Sequence, residues 1–455
     1  MAKRTVYFVF IFIAYTLGIW TFTLIPRILV GGGLTALALL TVASLIIGAL
    51  VTMEVNEVKN RPYKIHEFMT KFVKMPAISL VLLSFVIVVT AIDAHYTGLA
   101  LSRIIGAKIP FVGIVAIILA LALLIGMRTR SLDFIVGSSI LTMILIMAGA
   151  LFLKRQADMY IIDEIPRLTV QGIIDSIKGF TTGINFLQTE IIFMVALLVF
   201  GLGVGFYYVI GGPLARLGVD VRKVVIGTIG LQLILSIVAL LTVAYSIGIA
   251  YQGYWNAYSM GSDVQFLMIQ KEYWGPLYDE YIQRGEIMRP KYTIESLYSI
   301  PNMLRDLNIE GSTKTILALM GSFFLAGFTT LLVLLETGGQ LVMDVFQVTR
   351  RQGILWASIL SSVMAILVYF EQLRMILLGT LLGTTALIGL VEFLPVIKLR
   401  KSATSYILAG LILLLGIGTI AATFQFGGYY RLGILVGLML LLPLGFNNML
   451  LKTKS

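Results

Sequence analysis

Cysteine is absent from these 455 residues and histidine occurs only twice. Disulfide frameworks, thiolate nucleophiles and Cys/His zinc sites are therefore excluded or nearly so, and no Ser/His or Cys/His constellation is available for an intramembrane enzyme. Charge is scarce as well. Asp, Glu, Lys and Arg make up 13% of the chain, where soluble domains carry about 25%. Hydrophobic residues make up 58% and the mean hydropathy is +0.97, which excludes an ordinary soluble enzyme.

What is present instead is a succession of apolar runs of about 20 residues, each long enough to cross a hydrocarbon layer of about 30 Å. Spans are expected near 6–25, 34–54, 76–102, 109–127, 133–153, 186–211, 223–250, 315–343, 353–370, 375–397, 405–424 and 431–451. The chain reads as an all-α polytopic membrane protein with its partner the lipid bilayer. The first run is too apolar and too long for a cleaved signal and lacks a small-residue cleavage site, so it reads as the first span. The net charge of +11 sits in short loops and tails that include Lys3, Arg4, Lys59, Arg61, Lys64, Arg128, Arg130, Arg216, Arg350, Arg351 and Lys398. Such loops set orientation and meet anionic head groups, so nucleic acid is not an expected partner. Both termini then lie on the cytoplasmic side of the cell membrane. Two long polar segments, 154–185 and 251–313, fall outside, as lids or as covering structure.

Two spans look breakable. The first carries AYTLGIWTFTLIP from Ala14 to Pro26 and then Gly31, Gly32 and Gly33; the sixth carries Gly201, Gly203, Gly205, Gly211, Gly212 and Pro213. They correspond if 1–153 and 186–397 are two five-helix repeats, with 398–455 supplying two additional helices. An unwound turn in lipid needs partners for its freed carbonyls and amides, so paired breaks point to a transporter's midplane site. Glycine that merely permits close helix packing is the competing explanation. In the eighth span Ala326 and Thr330 share a face and Thr329 adjoins them, a neutral oxygen cage suited to Na⁺ if a broken helix adds carbonyls. Threonine bonding back to its own helix is the alternative. Glu54, Asp93, Glu336 and Glu392 fall within or near apolar spans, where each is expected to be paired, protonated or functional. His95 follows Asp93 by two residues and so points elsewhere.

The GIWTFTLIP stretch with GGG, the Met53-Glu54 end of the second span, AGFTTLLVLLE with Asp344 and Arg350, and Gly389-Leu390-Val391-Glu392 together resemble the neurotransmitter:sodium symporter family. The resemblance runs through spans one to ten, and the span-eight block is its most specific part. It implies an inverted five-plus-five helix fold with two extra helices, in which Na⁺ is the coupling ion and no further cofactor is needed. It places sodium at the carbonyls of Ala14, Leu17 and Ala326 and the hydroxyls of Thr329 and Thr330. It places substrate against Thr16, Gly18, Ile19, Phe85, Val89, Leu198, Phe200, Leu202, Thr330 and Leu334. Gly18 stands where monoamine carriers have Asp, which favours an amino acid whose own carboxylate fills the slot.

The departures matter too. Thr21 replaces the Asn of the second sodium site, so that site, with Thr16, is doubtful. Val89 and Trp20 stand where the family has Tyr and Gly, which makes the pocket drier and more crowded. The outer gate aligns Leu24 with Leu377 in place of an Arg–Asp pair, and the inner gate keeps Asp344 with Lys3 or Arg4 as partner. The resulting expectation is a sodium symporter of a small apolar amino acid. A proton-coupled carrier of the same fold is the alternative, and a channel or non-transporting scaffold the third reading.

Overall fold

In a layer without water every backbone N–H and C=O must find a partner inside its own segment, which leaves helix as the form for isolated apolar runs. The computed structural model describes residues 2–61, 64–127, 130–180, 184–261, 263–283 and 288–452; Arg128 lies outside them. Among the described residues there is no strand, only an isolated bridge between Gly33 and Phe180. The principal helices are α1 (Ala2–Thr16), α2 (Ile19–Asn60), α3 (Ala77–Ile105), α4 (Val112–Met127), α5 (Ser131–Tyr160), α6 (Phe186–Phe200), α7 (Phe206–Leu217), α8 (Val221–Ser259), α9 (Ser312–Phe346), α10 (Arg350–Tyr369), α11 (Glu371–Arg400), α12 (Ala403–Gln425) and α13 (Gly428–Met439). Capping boxes at Asn185, Thr349 and Ser402 start α6, α10 and α12.

Nine helices among the described residues are long and apolar enough to cross a membrane. Two further crossings, α4 and α6, are shorter, and the first is divided between α1 and the front of α2. Together these make the twelve expected. Helix α2 holds two crossings because its backbone turns at Gly33, whose φ of 52° lies in the left-handed region. There Leu34 N–H donates to the Gly179 carbonyl at 3.2 Å, and a Cβ on Gly33 would strike the carbonyl of Ser176.

The centre is made by α3, α9 and α11, whose apolar windows are 83, 78 and 83% buried; the stretch Gly428–Leu451 is 11% buried and lies at the periphery. Exposed Leu45, Ile118, Leu141, Ile226, Ile359 and Ile407 give the outside an apolar coat that suits lipid rather than water. The long polar segments are covering structure with helices of their own, Glu164–Ser176, Asp263–Ile269, Pro290–Leu297 and Ile300–Asp306. They reach inward, since Ile294, Leu297, Tyr298 and Leu304 are buried.

The breaks are narrower than the sequence suggested. Pro26, Gly31 and Gly32 lie inside α2, and Gly211, Gly212 and Pro213 inside α7. Glycine and proline only permit a break. It forms where a neighbour takes up the loosened polar groups; besides the turn at Gly33, the helices open in this way at Leu17–Gly18 and Gly201–Gly205.

Candidate functional site

At the first break the ladder slips by one residue. Gly18 N–H donates to Tyr15 O at 3.0 Å instead of to Ala14 O, its partner in an α-helix, and Thr21 N–H donates to Gly18 O at 3.1 Å, past Leu17 O. The Ala14 carbonyl accepts instead from two hydroxyls of α9, Thr329 Oγ1 and Thr330 Oγ1, each at 3.2 Å. The same hydroxyls also lie 2.9 and 3.0 Å from Ala326 O, so the local back-bonding expected of membrane threonines coexists with the bridge between helices. Four of the five sequence-chosen sodium ligands, Ala14, Ala326, Thr329 and Thr330, are thus brought together, and Leu17 sits in the turn beside them. Gly18 is fixed by space: a Cβ there would lie 3.1 Å from Thr330 Oγ1 and equally close to Tyr15 O. Thr16 and Thr21 bond to each other, Thr21 Oγ1 donating to Thr16 O at 2.5 Å. That engages the Thr21 proton inside the turn, while Thr16 Oγ1 is buried without a partner.

The second break is built with opposite polarity. Gly201, Gly203 and Gly205 all have positive φ (64°, 93° and 76°), which turns amides inward. Gly203 N–H and Gly205 N–H both donate to the carboxylate of Glu392 on α11, the second at 2.9 Å, and Tyr208 O–H donates to the Glu392 carbonyl at 2.6 Å. The Tyr207 hydroxyl closes on Phe200 O. The two breaks touch, because a methyl on Gly201 would land on the Tyr15 ring.

The sequence-chosen substrate residues are all buried. Gly18 and Thr330 adjoin, Ile19 packs on Gly327, and Phe85 meets Gly203. In span six only Leu202 lies in the unwound turn, packed on Gly389, while Leu198 and Phe200 end α6 and Leu334 lies on α9.

Leu24 and Leu377, the pair aligned with the outer gate, are both buried. One turn above Leu377 lies an ionic cluster that the sequence reading missed. Arg374 pairs with Glu295 at 3.0 Å and donates to His95 Nε2 at 2.9 Å, and Lys291 pairs with Glu295 and Glu371. The one signal for it was a lone arginine at the mouth of an apolar span. On the basic side, Asp344 is 3.8 Å from Lys64, while Arg4 donates to Leu217 O and Lys3 is exposed. The expected Lys3 or Arg4 partner is therefore corrected to Lys64, because the turn beginning at Lys64 is folded against the end of α9. A cavity of about 900 Å³ opens there, between Tyr208 and Arg216 of α7, Glu336 of α9 and Arg350 of α10.

Of the four intramembrane carboxylates, two have partners: Glu392 as described, and Glu336 in a two-point bond to Arg350 at 2.9 and 2.5 Å. Glu54 and Asp93 are buried with no hydrogen-bond partner on either oxygen.

No protein-family model and no curated protein sequence matches the chain. Among solved structures it is similar to MhsT in complex with L-phenylalanine, with a TM-score of 0.61 and 11% identity over 92% of this chain and 98% of that one. At that identity the likeness is one of fold. The chain has the leucine-transporter-like architecture, all-α and membrane-spanning, with two inverted sets of five helices followed by two more.

Proposed function

We propose that this protein is a secondary transporter of the cell membrane that couples Na⁺ to the inward movement of a small apolar amino acid. In this reading 1–153 and 186–397 are the two repeats and both termini are cytoplasmic. The observation that carries it is the meeting of the loosened Ala14 carbonyl with the Thr329 and Thr330 hydroxyls at 3.2 Å. A hard monovalent cation fits a cluster of neutral oxygens contributed by two separate helices. Such a cation would tie α1 and α2 to α9 and favour one orientation of the breaks over the other, which a ligand does only by binding the two states unequally. Leu24 and Leu377 beneath Arg374–Glu295 would close the outer side, and Asp344 with Lys64 the inner.

The test is uptake of labelled apolar amino acids into proteoliposomes under a Na⁺ gradient, with K⁺ as control. Replacing Thr329 and Thr330 together by Val is expected to abolish the sodium dependence. Uptake by the double variant that stayed equally sodium-dependent would place the ion elsewhere. The unpartnered carboxyl group of Glu54, within electrostatic reach of Glu392, favours proton coupling as a second reading. Accumulation driven by a pH gradient at zero sodium, and lost in Glu54→Gln, would select it.

A further inference from the structure

Asp93 lies near the middle of α3, 0% exposed, with neither carboxylate oxygen hydrogen-bonded and no ion pair among the described residues. A carboxylate in that position costs several kcal/mol unless something positive comes to it. Its direction follows from helix spacing. Val89 and Thr97, four residues to either side, share its face. Thr97 Oγ1 and the Ile19 side chain both crowd Gly327 of α9, and Phe85, further along the same side, lies against Gly203 of the second break. Asp93 therefore faces the interior between the two breaks, one turn outward of Val89. His95, by contrast, turns away to Arg374.

The groups around Asp93 are aromatic and hydroxylic rather than cationic. Tyr15 and Tyr298 lie within electrostatic reach of it. Tyr298 rests on Phe323 at 5.6 Å between ring centroids, and Phe323 stacks on Phe22 at 5.6 Å. The hydroxyls of Tyr298 and Thr97 are themselves buried and unpartnered. A buried carboxylate with tyrosine and threonine hydroxyls near it and no cation to pair with is the chemistry that recognises an ammonium group, and none of the sequence-chosen pocket residues carries a positive charge to receive an anion.

We infer that Asp93 is the seat of a ligand's protonated amine, so that the central site selects an apolar ligand by its ammonium group and not by its carboxylate. This rests on the transporter reading for the ligand's fate, but its binding is measurable without transport. The test is the thermal stability of purified protein, in Na⁺ and in K⁺, with three matched probes: leucine, 3-methylbutan-1-amine and 4-methylpentanoate. Leucine and the amine are expected to stabilise the protein and the acid is not. Asp93→Asn is expected to weaken the amine's binding by roughly ten- to a hundredfold, the loss of one charge-assisted contact, while Asp93→Glu recovers part of it. The probe series on the unaltered chain decides the matter even if the variants fold poorly. Stabilisation by the acid equal to that by the amine, no response to the amine, or an amine response unchanged in Asp93→Asn each overturns the assignment. A response to Na⁺ alone that Asp93→Asn abolishes also overturns it, in favour of a metal. Failure of leucine uptake in proteoliposomes would sink the transport reading and leave the binding result standing.

Discussion

The two breaks solve one problem with opposite backbone polarities. At Leu17–Gly18 the loosened groups are carbonyls, and what meets them is a pair of neutral hydroxyls. At Gly201–Gly205 the loosened groups are amides, and what meets two of them is the carboxyl group of Glu392. The two amides closed by Glu392 are satisfied by protein atoms alone. A cluster of carbonyl and hydroxyl oxygens has spare lone pairs and accommodates a cation. The difference teaches that interruption by itself says little about ion binding: in the sodium reading proposed above, the polarity of the exposed backbone suits the first break to a cation and the second to an acidic side chain.

The largest effect should come from removing the carboxylate. Glu392→Ala leaves two buried amides without an acceptor, at about 1–3 kcal/mol each, and the Tyr208 contact to the Glu392 carbonyl does not replace it. The apparent melting temperature in detergent should drop well below that of any single threonine variant. An unchanged melting temperature would mean that the second break is not held by Glu392. Next comes Gly201→Ala, which forces a side chain into a left-handed backbone and onto the Tyr15 ring. A cost of about 1–3 kcal/mol is expected, together with weaker sodium stabilisation, because Tyr15 belongs to the first break. If Gly201→Ala altered stability and left the sodium response intact, the two breaks would be independent.

A smaller change is expected from Thr329→Val with Thr330→Val in the absence of sodium. The Ala14 carbonyl then loses both of its donors, so the sodium-free melting temperature should fall by the cost of one stranded acceptor, about 1–3 kcal/mol, against two stranded amides in Glu392→Ala. The added stability seen on titrating Na⁺, which follows from mass action on the folded state, should vanish. This asymmetry, a modest loss without the ion and the whole response lost with it, is what separates a receptor from a structural contact. Glu392→Ala should behave the other way round.

How far this was legible in the sequence depends on the range of each interaction. The crossings follow from apolar runs, and the Ala326, Thr329 and Thr330 cluster from helix periodicity, both local properties. Gly18 was legible as a breaking point, but Pro26 and Gly31 gave the same signal and stay helical, because a break also needs a partner from a distant helix. Glu392 was visible as a misplaced carboxylate, whereas its acceptor role depends on the handedness of three glycines far away in the chain. Arg374–Glu295 and Asp344–Lys64 join spans to loops whose course no periodicity encodes.

The least of the effects concerns the outer half of the broken first crossing, which is tied to the covering loop. The Tyr281 hydroxyl lies 3.3 Å from both Thr23 O and Thr293 O, and two residues beyond Thr293 is Glu295, the partner of Arg374. Burial pushes the Glu295 carboxyl above its ordinary range, with Arg374 and Lys291 pulling it back down. A carboxyl whose folded value is raised takes up its proton more readily in the folded state. Its contribution to stability is therefore fully present below the unfolded value, near pH 4, and is lost as pH rises through the raised folded value. Glu295→Gln cannot titrate, so the melting temperature of the unaltered chain relative to this variant should rise as the pH is lowered from about 7.5 to about 5. The opposite slope would mean that the ion pair with Arg374 outweighs burial. The outer half of the first crossing would then be clamped by charge.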